Sequence, residues 1–223
     1  MPSFELNLLA HKKPKRGRRI SRNKESRVSV RRINVGTLFS PKYMYRRDNI
    51  SQEQLDILKE LVDAEIPVER PISFKLGKKK DMLFLSNGIA LTEYHLDILP
   101  ANKLENIYTK ATNILAKMHN LNISHNHLHF GNISVSKSDE ISLIDFKMAK
   151  KHQIDWNSTN SIYTAFKEDY GKIRDVLYGL NLGRVGASLF FSRFIENYTQ
   201  LSSAGKKDLL ALIMRKVLDI SQT

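Results

Sequence analysis

Cysteine is absent from all 223 residues. That excludes disulfides, thiol nucleophiles and cysteine-ligated zinc. Long apolar runs are absent too, and nothing approaches the roughly 18–20 consecutive apolar residues of a transmembrane helix. No membrane association is expected. The N-terminus turns basic before any apolar segment of useful length, so no secretory signal is expected and the composition fits a cytoplasmic protein. Closely spaced glycines, which let backbone amides cradle a phosphate, are missing as well: Gly17 stands alone ahead of the first strand-like stretch. Aromatic residues are absent from residues 12–32, which removes base stacking from that segment.

What is present is charge, unevenly spread. The net charge is +13, and residues 12–32 hold eleven Lys and Arg against one acid, Glu25. That segment contributes +10 and leaves +3 for everything else. A basic stretch beside a near-neutral body suits a polyanion, either nucleic acid or an acidic protein, held through phosphate-type contacts without sequence reading. A solubilising tail is the plainer alternative. The apolar fraction of 41% is enough for a core, and the length fits one domain carrying an arm.

Periodicity organises the rest. Val28 to Ile33 alternates and is β-branched, so a strand is expected. Ser51 followed by Gln54 forms a capping box ahead of Leu55, Leu58, Leu61 and Val62, which predicts a helix running up toward Pro67. Ile72–Leu76 and Met82–Leu85 predict a hairpin turning through residues 77–81. Leu104, Ile107, Tyr108, Ala111, Ile114, Leu115 and Met118 give the clearest helix. After a polar loop at 156–161, three more helices are expected at about 163–181, 187–200 and 205–220.

The chemistry concentrates between His119 and Phe146. His125, His127, His129, Asn132 and Asp145 are interleaved with apolar strand residues, a placement typical of the mouth of a fold. His125-Asn126-His127-Leu128-His129-Phe130-Gly131-Asn132 has the length of the kinase catalytic loop H-R-D-L-x-x-x-N, and Asp145-Phe146-Lys147 stands where D-F-G is expected. Met118-His119 and Ile123-Ser124-His125 match the residues that lead into that loop. The chain thus resembles the protein-kinase-like superfamily, and in size the small atypical members such as the KEOPS-complex kinase and the Rio kinases.

The resemblance implies a two-lobed α+β fold, with a reduced β-rich N-lobe at 28–86, a helical C-lobe at 87–223, and residues 1–27 as the basic arm. It implies a Mg-ATP site in which Asn132 and Asp145 hold the metal. Arg31 stands where the phosphate-pairing lysine belongs, and Glu53, or Gln54 one residue along, where its glutamate partner belongs. His127 replaces the aspartate that accepts the substrate proton. Lys147 replaces the glycine of D-F-G. A kinase-fold protein that binds nucleotide as a pseudokinase or interaction module follows, with an active atypical serine/threonine kinase or ATPase as the alternative. A different reading takes His125, His127 and His129 as alternating on one strand face, where three imidazoles hold a transition metal.

Overall fold

The computed structural model describes residues 31–34, 43–47, 51–76, 79–86, 88–91 and 97–219, with backbone alone at 31–34, 43–47, 72–76, 79–86 and 89. The basic arm of residues 1–27 lies outside the described residues.

The fold is α+β in two lobes. Strands β1 (Arg31–Asn34), β2 (Tyr43–Arg47), β3 (Arg70–Leu76) and β4 (Lys79–Ser86) form an antiparallel sheet in the order β1-β2-β4-β3. Helix α1 (Gln52–Asp63) precedes β3. Its start is built as the sequence predicts. The Ser51 hydroxyl accepts from the Gln54 amide at 3.2 Å, and the Gln54 side chain accepts from the Ser51 amide at 3.1 Å. Two N–H groups that the first turn leaves without helical partners are thereby satisfied. Ile57, Leu58 and Leu61 are buried, each contributing about 1.5–3 kcal/mol of apolar burial.

The second lobe is hung on helix α2 (Ala101–Asn120). Its stripe from Leu104 to Met118 is buried as the spacing predicts. Helix α3 (Thr159–Gly179) meets it where Phe166 stacks on His119, α4 (Gly183–Glu196) packs against it, and α5 (Ser203–Lys216) packs on α3 and α4. Two small sheets lie where the lobes meet. β5 (Ile89–Ala90), β7 (Ile133–Val135) and β8 (Ile141–Leu143) form one, and β6 (Ile123–Ser124) with β9 (Lys150–Lys151) the other. The segment entering β3 is stitched to β8: Leu143 donates to the Pro67 carbonyl at 3.0 Å, and Glu69 donates to the Leu143 carbonyl at 2.9 Å.

Several boundaries differ from expectation. Helix α1 stops four residues short of Pro67, with Glu65 in the left-handed region at φ 56°. The hairpin strands run on through Lys79, Lys80 and Asp81, where a turn was expected, and pair as Lys75 with Lys80 and Leu76 with Lys79. Helix α3 begins at Thr159, inside the expected loop, because Ser158 caps it through the Ser161 amide. Helix α5 starts at Ser203, two residues earlier than expected, because the Ser202 hydroxyl caps it by accepting from the Gly205 amide at 3.1 Å.

Candidate functional site

Helix α2 ends at Asn120, and the chain passes through β6 into a loop that β7 and β8 then close. One buried carboxylate holds this loop. Asp169 on α3 is fully buried and accepts the backbone N–H of His125 at 2.9 Å and of Asn126 at 2.6 Å. Its Oδ2 also lies 3.1 Å from His119 Nε2. On the other edge of that ring, His119 Nδ1 is 2.6 Å from the Tyr198 hydroxyl, which is 3.0 Å from the Tyr170 hydroxyl. The ring lies flat on Phe166 at 3.7 Å. Burial holds the His119 pKa below its ordinary value even with Asp169 alongside. The contact is therefore a hydrogen bond from a neutral ring: Nε2–H donates to Asp169, and Nδ1 accepts from Tyr198. Asp169 escaped the sequence reading. Its signal was an acid sitting in line with Ile162, Phe166, Ile173 and Leu177 on the apolar stripe of α3.

The loop's side chains follow from that anchoring. His125 is fully buried, with Nε2 3.1 Å from the Ile144 carbonyl and its ring 4.8 Å from that of Phe146. Its role is architectural. Asn132 Nδ2 donates to the His127 carbonyl at 2.7 Å, which fixes which end of the amide is nitrogen. The same Nδ2 lies 3.1 Å from His127 Nδ1. His127 Nδ1 thus accepts, and its proton sits on Nε2. Burial, outweighing Asp145 and aided by Lys147 and Lys172, lowers the His127 pKa, so the ring is neutral.

Asp145 completes the cluster. Its Oδ2 is 3.9 Å from His127 Nδ1 and 3.8 Å from Lys147 Nζ. Its backbone is left-handed at φ 68°, a region that Asp tolerates better than most residues. Glu69, fully buried, helps to hold it there by accepting the Asp145 N–H at 2.8 Å. Glu69 was not singled out in the sequence. It follows Val68 on an extended stretch, and nothing local separates it from a solvent-facing acid.

The fold brings His127, Asn132 and Asp145 together. Glu53 is exposed in the first turn of α1. Its neighbour Gln54 instead donates through Nε2 to the Lys147 carbonyl. Arg31 lies on β1, where only the backbone is described. The three-histidine metal reading is corrected. Strand β6 ends at Ser124 and Asn126 takes φ 60°, so the alternation that would align the imidazoles is broken. His125 is committed to Ile144, and His129 Nδ1 accepts from the Gly131 amide at 3.0 Å. Among the described residues no three His, Asp or Glu side chains converge on a metal position.

Asn132 and Asp145 offer the hard oxygen donors that magnesium takes. Their surroundings fit it poorly. The Asn132 amide nitrogen is turned onto His127, which leaves its oxygen as the donor, but the ammonium of Lys147 already stands beside the Asp145 carboxylate oxygen that a divalent ion needs.

The neutral histidines carry a pH dependence. Burial lowers the pKa of His119 and His125 from about 6.5, and that of His129 to about 4. Unfolding lets these rings take up protons that the folded state refuses. Their contribution is complete above about pH 6.5 and is lost as pH falls toward the folded values. The urea midpoint is expected to drop between pH 7.5 and pH 5. A midpoint constant across that window would show that the rings are not held neutral.

Two lobes joined beside a loop of this length and spacing make the architecture kinase-like. Compared with curated proteins, the chain is 31% identical over 124 residues to the 3-deoxy-D-manno-octulosonic acid kinase of Vibrio parahaemolyticus serotype O3:K6, covering 52% of this chain and 52% of that enzyme. The chain thus spans about half the length of the curated relative it matches. No family model matches it. The comparison carries a kinase-like relationship and does not single out the KEOPS-type or Rio kinases.

Proposed function

We propose that the chain is a kinase-fold module that binds a nucleotide in the cleft beside Asp145 and does not transfer its phosphoryl group. The observation that carries this is the state of His127. Its Nδ1 is taken by Asn132 and its Nε2 carries the proton, so neither nitrogen is available to accept one from a substrate hydroxyl. The residue at the base position is a hydrogen-bond donor. Loss of a general base typically costs about 10²–10⁴-fold in rate. Lys147, with its ammonium 3.8 Å from Asp145 Oδ2, gives the site the positive charge that suits phosphate.

A second reading is an active kinase, suggested by the likeness over about half the chain to an enzyme named as a sugar-acid kinase. One experiment separates the two. The full chain is mixed with γ-labelled ATP, with and without 3-deoxy-D-manno-octulosonic acid, while ATP binding is followed by thermal shift. A shift without labelled product is expected. Labelled product that disappears in Asp145→Ala would replace the first reading with the second, and no shift would remove both.

A further inference from the structure

We propose that Lys147 is the cleft's resident cation: its ammonium takes the place of a divalent metal ion between Asp145 and a nucleotide's phosphates, so the polyphosphate binds without metal. This rests on the reading of the cleft as a nucleotide site.

The geometry of both ends of the side chain supports it. At its base, Lys147 sits in a short 3-10 helix, Phe146–Met148, whose first residue is buried. The Lys147 carbonyl accepts from Gln54, and the next carbonyl, that of Met148, accepts from Asn126 Nδ2 at 3.0 Å. The peptide that launches the side chain is therefore pinned from α1 on one side and from the loop on the other. At its tip, the ammonium is 3.8 Å from Asp145 Oδ2, and the side chain is 45% exposed. That separation is an ion-pair contact longer than a hydrogen bond, so the three N–H donors remain available to an incoming oxygen.

Electrostatics then decides the occupant. A carboxylate facing a polyphosphate repels it unless a cation stands between them. Magnesium in that role demands a near-octahedral shell at about 2.0–2.1 Å and gives up its waters reluctantly. Here it would have to form that shell beside a like charge already set against the same oxygen. The ammonium has no such geometric demand; it is a compact charge that binds phosphate from several directions. In the superfamily pattern that the chain resembles, this position is glycine and carries no side chain at all, so the lysine adds a cation that the pattern lacks.

The test uses the full chain and ATP alone as probe, titrated in EDTA and again in excess magnesium. Wild type is expected to bind with dissociation constants within about twofold in the two buffers. Lys147→Met keeps the stem and removes the charge. It is expected to lose about tenfold or more in EDTA and to recover part of that with magnesium, while Lys147→Arg stays within about threefold of wild type in EDTA. Because the side chain is half exposed, the thermal midpoints of both unliganded variants should match wild type, which separates lost binding from lost folding. Wild-type binding that requires magnesium, or Lys147→Met binding as well as wild type in EDTA, would overturn the proposal and leave the nucleotide site standing. Absence of ATP binding in both buffers would overturn the two together.

Discussion

Asp169→Ala is expected to destabilise the chain by about 4 kcal/mol. The carboxylate is fully buried and receives three donors: the amides of His125 and Asn126 and the Nε2–H of His119. Truncation strands all three. A buried donor left without its partner costs about 1–3 kcal/mol, and any water admitted by the smaller side chain recovers part of that. Asp169→Asn keeps one acceptor oxygen but turns an NH₂ toward donors, so a loss of about half the size is expected. Urea denaturation measures both. The variants should also loosen the loop on which His127 and Asn132 stand, and ATP binding should weaken in Asp169→Asn under conditions where it stays folded. An alanine variant as stable as wild type would mean that the loop is held by something other than this anchor.

Gly88→Ala is the second large effect, at about 3 kcal/mol. A β-carbon there would lie 2.2 Å from both the carbonyl carbon and oxygen of Val135 and 2.5 Å from the Ser136 nitrogen. These are backbone atoms, and no rotamer change clears them. The strand that follows, β5, pairs Ile89 with Val135 and Ala90 with Ser134, and Leu91 donates to the Ile133 carbonyl at 3.0 Å. Relief must come from parting β5 from β7. Hydrogen exchange is expected to show the Leu91 amide losing protection while the helix α2 amides keep theirs. Retained protection with an unchanged thermal midpoint would show that the backbone yields elsewhere.

Much of this was legible before any coordinates, and the parts that were not share a cause. Helix α2 announces itself because every third or fourth residue is apolar and the helix is long. The Ser51–Gln54 capping box is a local motif, and local motifs survive folding unchanged. Helix α4 was placed four residues late because its start has no polar cap: Leu182 makes no side-chain cap bond, and Gly183 turns the chain at φ 61°. The extension of β4 through Lys79 and Asp81 was hidden because charged residues read as a turn, whereas backbone pairing with β3 needs no apolar side chain there. At the site, His127, Asn132 and Asp145 stood out by spacing. Asp169 and Glu69 did not, since each acts on a segment more than forty residues away in the chain. Long-range polar anchors leave no periodic trace. A charged residue on an apolar stripe was the one clue that Asp169 offered.

The bond from Gln54 to the Lys147 carbonyl has a partner nearly two turns along α1. There Glu60 meets Lys151 Nζ at 2.6 and 2.7 Å. Both side chains are partly exposed, so the ion pair adds little to stability. Its effect is mechanical. With two fastenings spaced along one rigid rod, the strip of chain after Asp145 is geared to that rod, and any tilt of α1 is transmitted to the peptide from which the ammonium reaches into the cleft.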